Sequence, residues 1–184
     1  MTIDNSAIID LKNRRAILQI LWIGIGSICM FFAGLTSVIL VDRMQFPELP
    51  RWFIYSTIVI VFSSGLLFYT KKRIKKDKTI FSMLLCVLIL GILFTYCQFK
   101  GWEQLISNDI YFSGGPKESS ILYVLTGAHL AHLFAGIIAL LVTTINAKRG
   151  MYSSMNYLGV ELSSHYWHFL TILWIYLFGF LNYV

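Results

Sequence analysis

Five long apolar runs, broken by short charged connectors, decide most of what this chain can fold into. They extend over about Ala16 to Val41, Trp52 to Thr70, Thr79 to Phe99, Ser120 to Ala147 and Gly159 to Tyr183. A helix needs about 20 residues to cross a bilayer core. Lipid offers no partner for free peptide groups, so such runs fold as helices; a β-barrel needs short alternating strands, and the sequence lacks that pattern. The expectation is an all-α integral membrane protein. It has a short tail, residues 1–15, and one five-helix domain, residues 16–184, with no internal repeat.

Composition agrees. The chain is 57% hydrophobic and only 13% charged, where a soluble domain carries about a quarter charged residues. The net charge of +6 raises nucleic acid as a partner, but the basic residues sit in connectors rather than on one helix face, which points to lipid instead. Cys29, Cys86 and Cys97 lie in apolar runs without paired spacing and read as buried small hydrophobes. The start, MTIDNSAIIDLKNRR, shows no removable signal peptide.

The connectors also set orientation. Lys12, Arg14, Arg15, Lys71, Lys72, Arg73, Lys75, Lys76, Lys78, Lys148 and Arg149 gather on one side; Arg43, Arg51, Lys100 and Lys117 fall on the other. Basic residues accumulate on the cytoplasmic side. The N-terminus is therefore expected in the cytoplasm and the C-terminus outside. Within DRMQFPELPR, Pro50 can open the second helix. Ser119 and Ser120 of SGGPKESS can cap the fourth. KGWEQLISNDIYFSGG reads as an outer loop with Trp102, Tyr111 and Phe112 at the interface.

Within the spans the polar residues are few. All four histidines form two pairs of equal spacing, His129 with His132 and His165 with His168. Glu161, the one carboxylate inside a span, shares a helical face with His165 and His168, which Thr171 extends. Thr126 shares a face with His129 and His132. Gly127, Ala131, Ala135 and Ala139 form a strip that admits a close neighbour, with His132 beside it. By helical rise, His132 and His168 fall at similar depth and are expected to meet near mid-membrane. Three readings follow. A di-metal site needs several carboxylates, and one is present. Bis-histidine haem ligation needs one imidazole from each of two helices, but also room beside a close-packing strip. Otherwise the imidazoles hydrogen-bond across helices, with Glu161, Thr126, Ser164 or Thr171 as partners.

YVLTGAHLAHLFAGIIAL and NYLGVELSSHYWHFLTILWIYLF resemble subunit III of the haem–copper terminal oxidases, the cytochrome c oxidase family. The family pattern Leu-Thr-Gly-x-His-x-x-His-x-x-x-Gly is met by Leu125, Thr126, Gly127, His129, His132 and Gly136. The last helix of the family, with Glu before Tyr-Trp-His-Phe and then Trp, is met by Glu161, Tyr166, Trp167, His168, Phe169 and Trp174. Ser27, Met30, Phe31, Phe32 and Gly34 match the first helix, Ser63 and Ser64 the second, Gln98 and Trp102 the third. Two positions depart: Ile28 and Thr171 stand where the family usually carries carboxylates, so a proton relay through those groups is not expected here. The resemblance is to the five-helix bacterial form.

The resemblance implies a non-catalytic subunit in a bacterial plasma membrane. It implies no haem, copper or active site in this chain; those belong to subunits I and II. It also implies bound phospholipid, stabilisation of subunit I and sustained proton uptake. His129, His132, Glu161, His165, His168, Thr126 and Trp167 then become interhelical structural groups. The alternatives are a haem- or quinone-binding anchor of a respiratory enzyme and, more remotely, a transporter, which would call for repeated halves or broken helices.

Overall fold

A computed structural model describes residues 5–42, 44, 46, 49–74, 79–112, 116–153 and 156–183. They form five helices: α1 Asn5–Val41, α2 Arg51–Ile74, α3 Phe81–Ser107, α4 Lys117–Lys148 and α5 Leu158–Tyr183. The first four are long and apolar enough to cross a membrane. At 26 residues α5 is also long enough; its crowd of His, Tyr, Trp and Ser lowers its hydropathy.

Helix ends differ from the expectation in instructive ways. α1 begins at Asn5, so most of the expected tail is its first turns. α2 runs on through Lys71, Lys72 and Arg73, whose cations suit a helix C-terminus. α3 passes the charges at Lys100 and Glu103, which pair at 2.6 Å one turn apart. Trp102 is therefore a half-buried helical residue rather than part of an outer loop. Ser119 and Ser120 do not cap α4. Pro116 holds the cap position without a side-chain bond, and Ser120 Oγ donates to the Phe112 carbonyl.

Two helices end the same way. Ile110 N–H reaches back to Leu105 O and Asp109 N–H to Ile106 O after α3; Met151 N–H reaches Asn146 O and Gly150 N–H reaches Ala147 O after α4. This double bond pattern needs a left-handed residue just past the helix. Asp109 (φ 60°) and Gly150 (φ 69°) supply it.

The bundle is knitted by one repeated spacing. α2 buries Phe53, Ser56, Ile60, Ser63, Leu67, Thr70 and Ile74, alternating steps of three and four. α3 includes the same steps at Leu84, Val87, Gly91, Phe94, Gln98, Gly101 and Leu105. α4 shows them at Leu122, Thr126, His129, Leu133, Gly136 and Leu140. α5 shows them at Val160, Ser163, Trp167, Leu170, Trp174, Leu177 and Leu181. A period of 3.5 belongs to shallow left-handed crossings. Bulk and smallness alternate along these seams. A Cβ on Gly91 would stand 2.7 Å from Trp167, one on Gly136 would stand 2.8 Å from Leu170, and one on Gly101 would enter the Phe53 ring. Large rings on one helix thus fill notches on another. The expected strip on α4 lies elsewhere: Ala131 and Ala135 are exposed, and the close approach is made through Gly136. Cys97 is buried as expected, whereas Cys29 and Cys86 face outward.

Candidate functional site

The four imidazoles do not converge on one centre. His129 is fully buried on the α4 seam, its ring 6.0 Å from that of Phe94 and 5.1 Å from that of Trp174. His132, one residue off the seam, turns toward α1; its ring lies 5.7 Å from Phe32. Its Nδ1–H donates to the Ala128 carbonyl at 2.7 Å, and its own carbonyl accepts from Tyr166. His168 meets Ser64 of α2 in a 2.5 Å hydrogen bond through Nδ1. His165 sits beside Trp22 of α1, with Lys71 Nζ 3.4 Å from its Nε2. The expected meeting of His132 with His168 does not occur. His132 points to α1 and His168 to α2, and the contacts of Gly136 with Trp167 and Leu170 set His168 level with the turn after His132.

Haem ligation across the two pairs would need two imidazoles converging on one gap. Here the bulk between α3, α4 and α5 is Trp167. Its ring lies against Gly91 and Gly136, and its Nε1 donates to Ser63 Oγ at 3.1 Å. The residues present therefore do not fit a haem between the pairs. Among the described residues no group of three or more His, Cys, Asp and Glu could hold a metal ion.

Glu161 organises the other polar centre. It accepts from Arg14 of α1 at 2.5 Å. Lys71 of α2 stands 3.7 Å away and His165 Nε2 4.0 Å. Three helices are thus joined at the end of the bundle where the basic residues collect. Beside this cluster, Phe68, Lys71, Lys72, Ser164, His165 and His168 line a cleft of about 350 Å³. Lys71 and Lys72 give this lining its cations and Phe68 its apolar side chain. Thr126 is buried and accepts from Trp102 Nε1 at 3.1 Å, closing α3 on α4. Thr171 donates within its own helix to the Trp167 carbonyl.

The family model described as cytochrome c oxidase subunit III matches residues 23–184. The chain belongs to the cytochrome c oxidase subunit III family. Cytochrome c oxidase subunit 3 of Rhipicephalus sanguineus is 34% identical over 134 residues, covering 68% of this chain and 48% of the relative. A probable cytochrome c oxidase subunit 3 of Rickettsia prowazekii (strain Madrid E) is 34% identical over 108 residues, 58% of this chain and 37% of the relative. That of Paracentrotus lividus is 31% identical over 100 residues, 52% and 35% respectively. The chain thus matches about half or less of the length of these relatives.

Within that family frame, Ile28 is half-buried and packs with the apolar cluster of Phe32, Leu125 and Leu173. A carboxylate at 28 would lie in that apolar neighbourhood, and the isoleucine simply fills it. Several residues of the polar network escaped the sequence reading, Lys71 among them. Arg14 counted only as an orientation charge, though it is the closest partner of Glu161. Ser56 anchors the amide of Gln98 at 2.9 Å, and its place on a strict three-four seam was the available signal.

Proposed function

We propose that the chain is a non-catalytic subunit III packed against subunit I of a membrane-bound terminal oxidase. In this reading haem and copper reside in subunits I and II, and this chain holds the catalytic subunit in its working form and sustains its proton uptake through many turnovers. The observation that carries the proposal is the family match over nearly the whole chain. The packing of Trp167 into the notches at Gly91 and Gly136 supports it, because the space that a bound cofactor would want is occupied by indole.

The finer assignments belong to the same proposal. α5 crosses as a fifth span, for its buried seam runs from Val160 to Leu181 between α2 and α4. The end bearing Arg14, Lys71, Lys72 and Lys148 faces the cytoplasm, as basic connectors do. The membrane is the plasma membrane of a bacterium. The cleft, lined by Lys71 and Lys72 beside Phe68, suits an anionic phospholipid headgroup.

The test is His132→Leu in the intact complex. The substitution removes an imidazole whose ring packs on α1 and bonds its own helix. Haem and copper per complex, measured by pyridine haemochrome and metal analysis, are expected to equal the parent's. Loss of one haem per complex would overturn the subunit III reading and establish a haem-bearing anchor.

A further inference from the structure

We propose that Gln98 and His129 hold one water molecule in the interior of the bundle. The inference rests on packing alone and is independent of the oxidase reading. Both side chains are sealed: His129 is 0% and Gln98 1% exposed. Among the described residues, neither ring nitrogen of His129 has a hydrogen-bond partner, and neither has Gln98 Oε1. Buried polar atoms in native proteins are almost always paired, so each exception calls for a partner.

The amide cannot solve the problem by flipping. Ser56 Oγ spends its only proton on the Phe53 carbonyl at 2.9 Å. It can therefore only accept from Gln98, which directs Nε2 toward Ser56 at 2.9 Å and leaves Oε1 free.

The packing brings the two orphaned groups to one level of the bundle. α3 and α4 are antiparallel neighbours. Trp102 on α3 reaches Thr126 on α4, and the Phe94 ring meets the His129 ring. Gln98 lies on the buried seam one turn after Phe94 and one turn before the half-buried Trp102. It therefore stands at the level of Thr126 and His129. The circle closes through Trp174, which touches His129 and donates from Nε1 to Thr57 Oγ1, next door to Ser56. A neutral imidazole carries one N–H and one bare nitrogen. A water between the two residues accepts from that N–H and donates to Gln98 Oε1. Buried waters serve in this way where several polar groups converge. No partner subunit could do so, because His129 has no surface.

The decisive measurement is a single-particle map of the intact complex at a resolution that shows ordered waters. A peak within hydrogen-bond reach of both Gln98 Oε1 and a His129 ring nitrogen, about 2.7–3.2 Å from each, is expected. A direct Gln98–His129 contact, or an empty map between them, overturns the proposal. A second measurement reads the temperature at which the subunit leaves the complex in Gln98→Met, His129→Leu and the double variant. Because either single change strands the same water, the double variant is expected to lose clearly less than the sum of the singles. Additive losses would overturn it. If His129→Leu does not assemble, His129→Asn replaces it in the cycle.

Discussion

α1 and the other four helices are held by different means. α2 to α5 bury a residue at nearly every turn of a three-four seam, and their rings enter notches at Gly91, Gly101 and Gly136. Among the described residues α1 touches only α4 and α5; its seam, Leu18, Leu21, Ile25, Ile28, Phe32, Leu35 and Ile39, keeps the three-four spacing but is mostly half-buried rather than sealed. Its glycines make no notches: a Cβ on Gly24, Gly26 or Gly34 would meet nothing within 4 Å. To this shallow seam it adds separate fastenings. Arg14 binds Glu161 at one end, Trp22 and Phe32 lie on His165 and His132, and Thr36 meets Tyr176 toward the other end. Lipid tails are as apolar as the side chains, so burial alone does not drive helices together in a membrane. Close packing and hydrogen bonds do: α2 to α5 combine notches with interhelical bonds such as Trp102–Thr126, Gln98–Ser56 and Trp167–Ser63, whereas α1 has no notch and relies more on its polar and aromatic contacts.

The largest expected effect tests the notches. Gly136→Val puts a branched side chain where Leu170 and Trp167 already lie. Overpacking costs about 1–3 kcal/mol, occasionally more, and here Leu170 and the Trp167 ring both crowd the site from α5. The chain is expected to disappear from the purified complex. Gly34→Val on α1 is expected to change stability by less than about 0.5 kcal/mol, since its Cβ enters open space. Quantifying the subunit in solubilised complexes after a heat step separates the two. Equal damage from both would end the distinction drawn between α1 and the bundle.

The helices themselves were legible because lipid leaves the backbone no alternative, and all five runs became helices in order. Their ends were not. Charges at Lys71 and Lys100 looked like boundaries, yet a helix leaving the hydrocarbon continues as long as its own turns support it. Interhelical contact was the harder part. Counting residues put His132 level with His168, whereas the contacts of Gly136 with Trp167 and Leu170 set them about one turn apart. Azimuth does not follow from a stripe of small residues alone. The three-four seam holds that information: Thr126, His129 and Leu133 lie on it, and His132 falls beside it, turned toward α1. The pairing of Arg14 with Glu161, 147 residues apart, depends on how α1 leans on α5, and nothing in the hydropathy of α1 encodes that.

An intermediate effect tests the polar fastening. Glu161→Gln and Arg14→Gln each remove one side of a pair whose carboxylate side chain is only 16% exposed. Each is expected to loosen α1 by about 1 kcal/mol, at the upper end for partly exposed ion pairs. Together they should cost little more than either alone, because both break the same contact. Hydrogen exchange is the natural readout. Peptides over residues 12–22 should exchange faster in both variants, while those of α3 and the middle of α4 stay as they were. Faster exchange spread evenly over all five helices would mean that Glu161 supports the whole bundle through Lys71 instead.

The smallest effect concerns the far end of α1. Thr36 Oγ1 donates to the Phe32 carbonyl at 3.0 Å, so its proton is already in use. The 3.1 Å contact with Tyr176 must then run the other way, with the tyrosine hydroxyl donating to Thr36. Tyr176 is 47% exposed, and interhelical hydrogen bonds in membranes average about 0.6 kcal/mol. Tyr176→Phe removes the donor and keeps the ring; Thr36→Val removes the acceptor and keeps the branched shape. Each is expected to cost about that 0.6 kcal/mol, and the pair no more than either single change. Exchange in the last turns of α1 should rise in all three variants to a similar degree. A loss in Thr36→Val that persists undiminished beside Tyr176→Phe would show that the threonine acts through its own helix, and that this end of α1 is held by the packing of Ile39 and Phe32 alone.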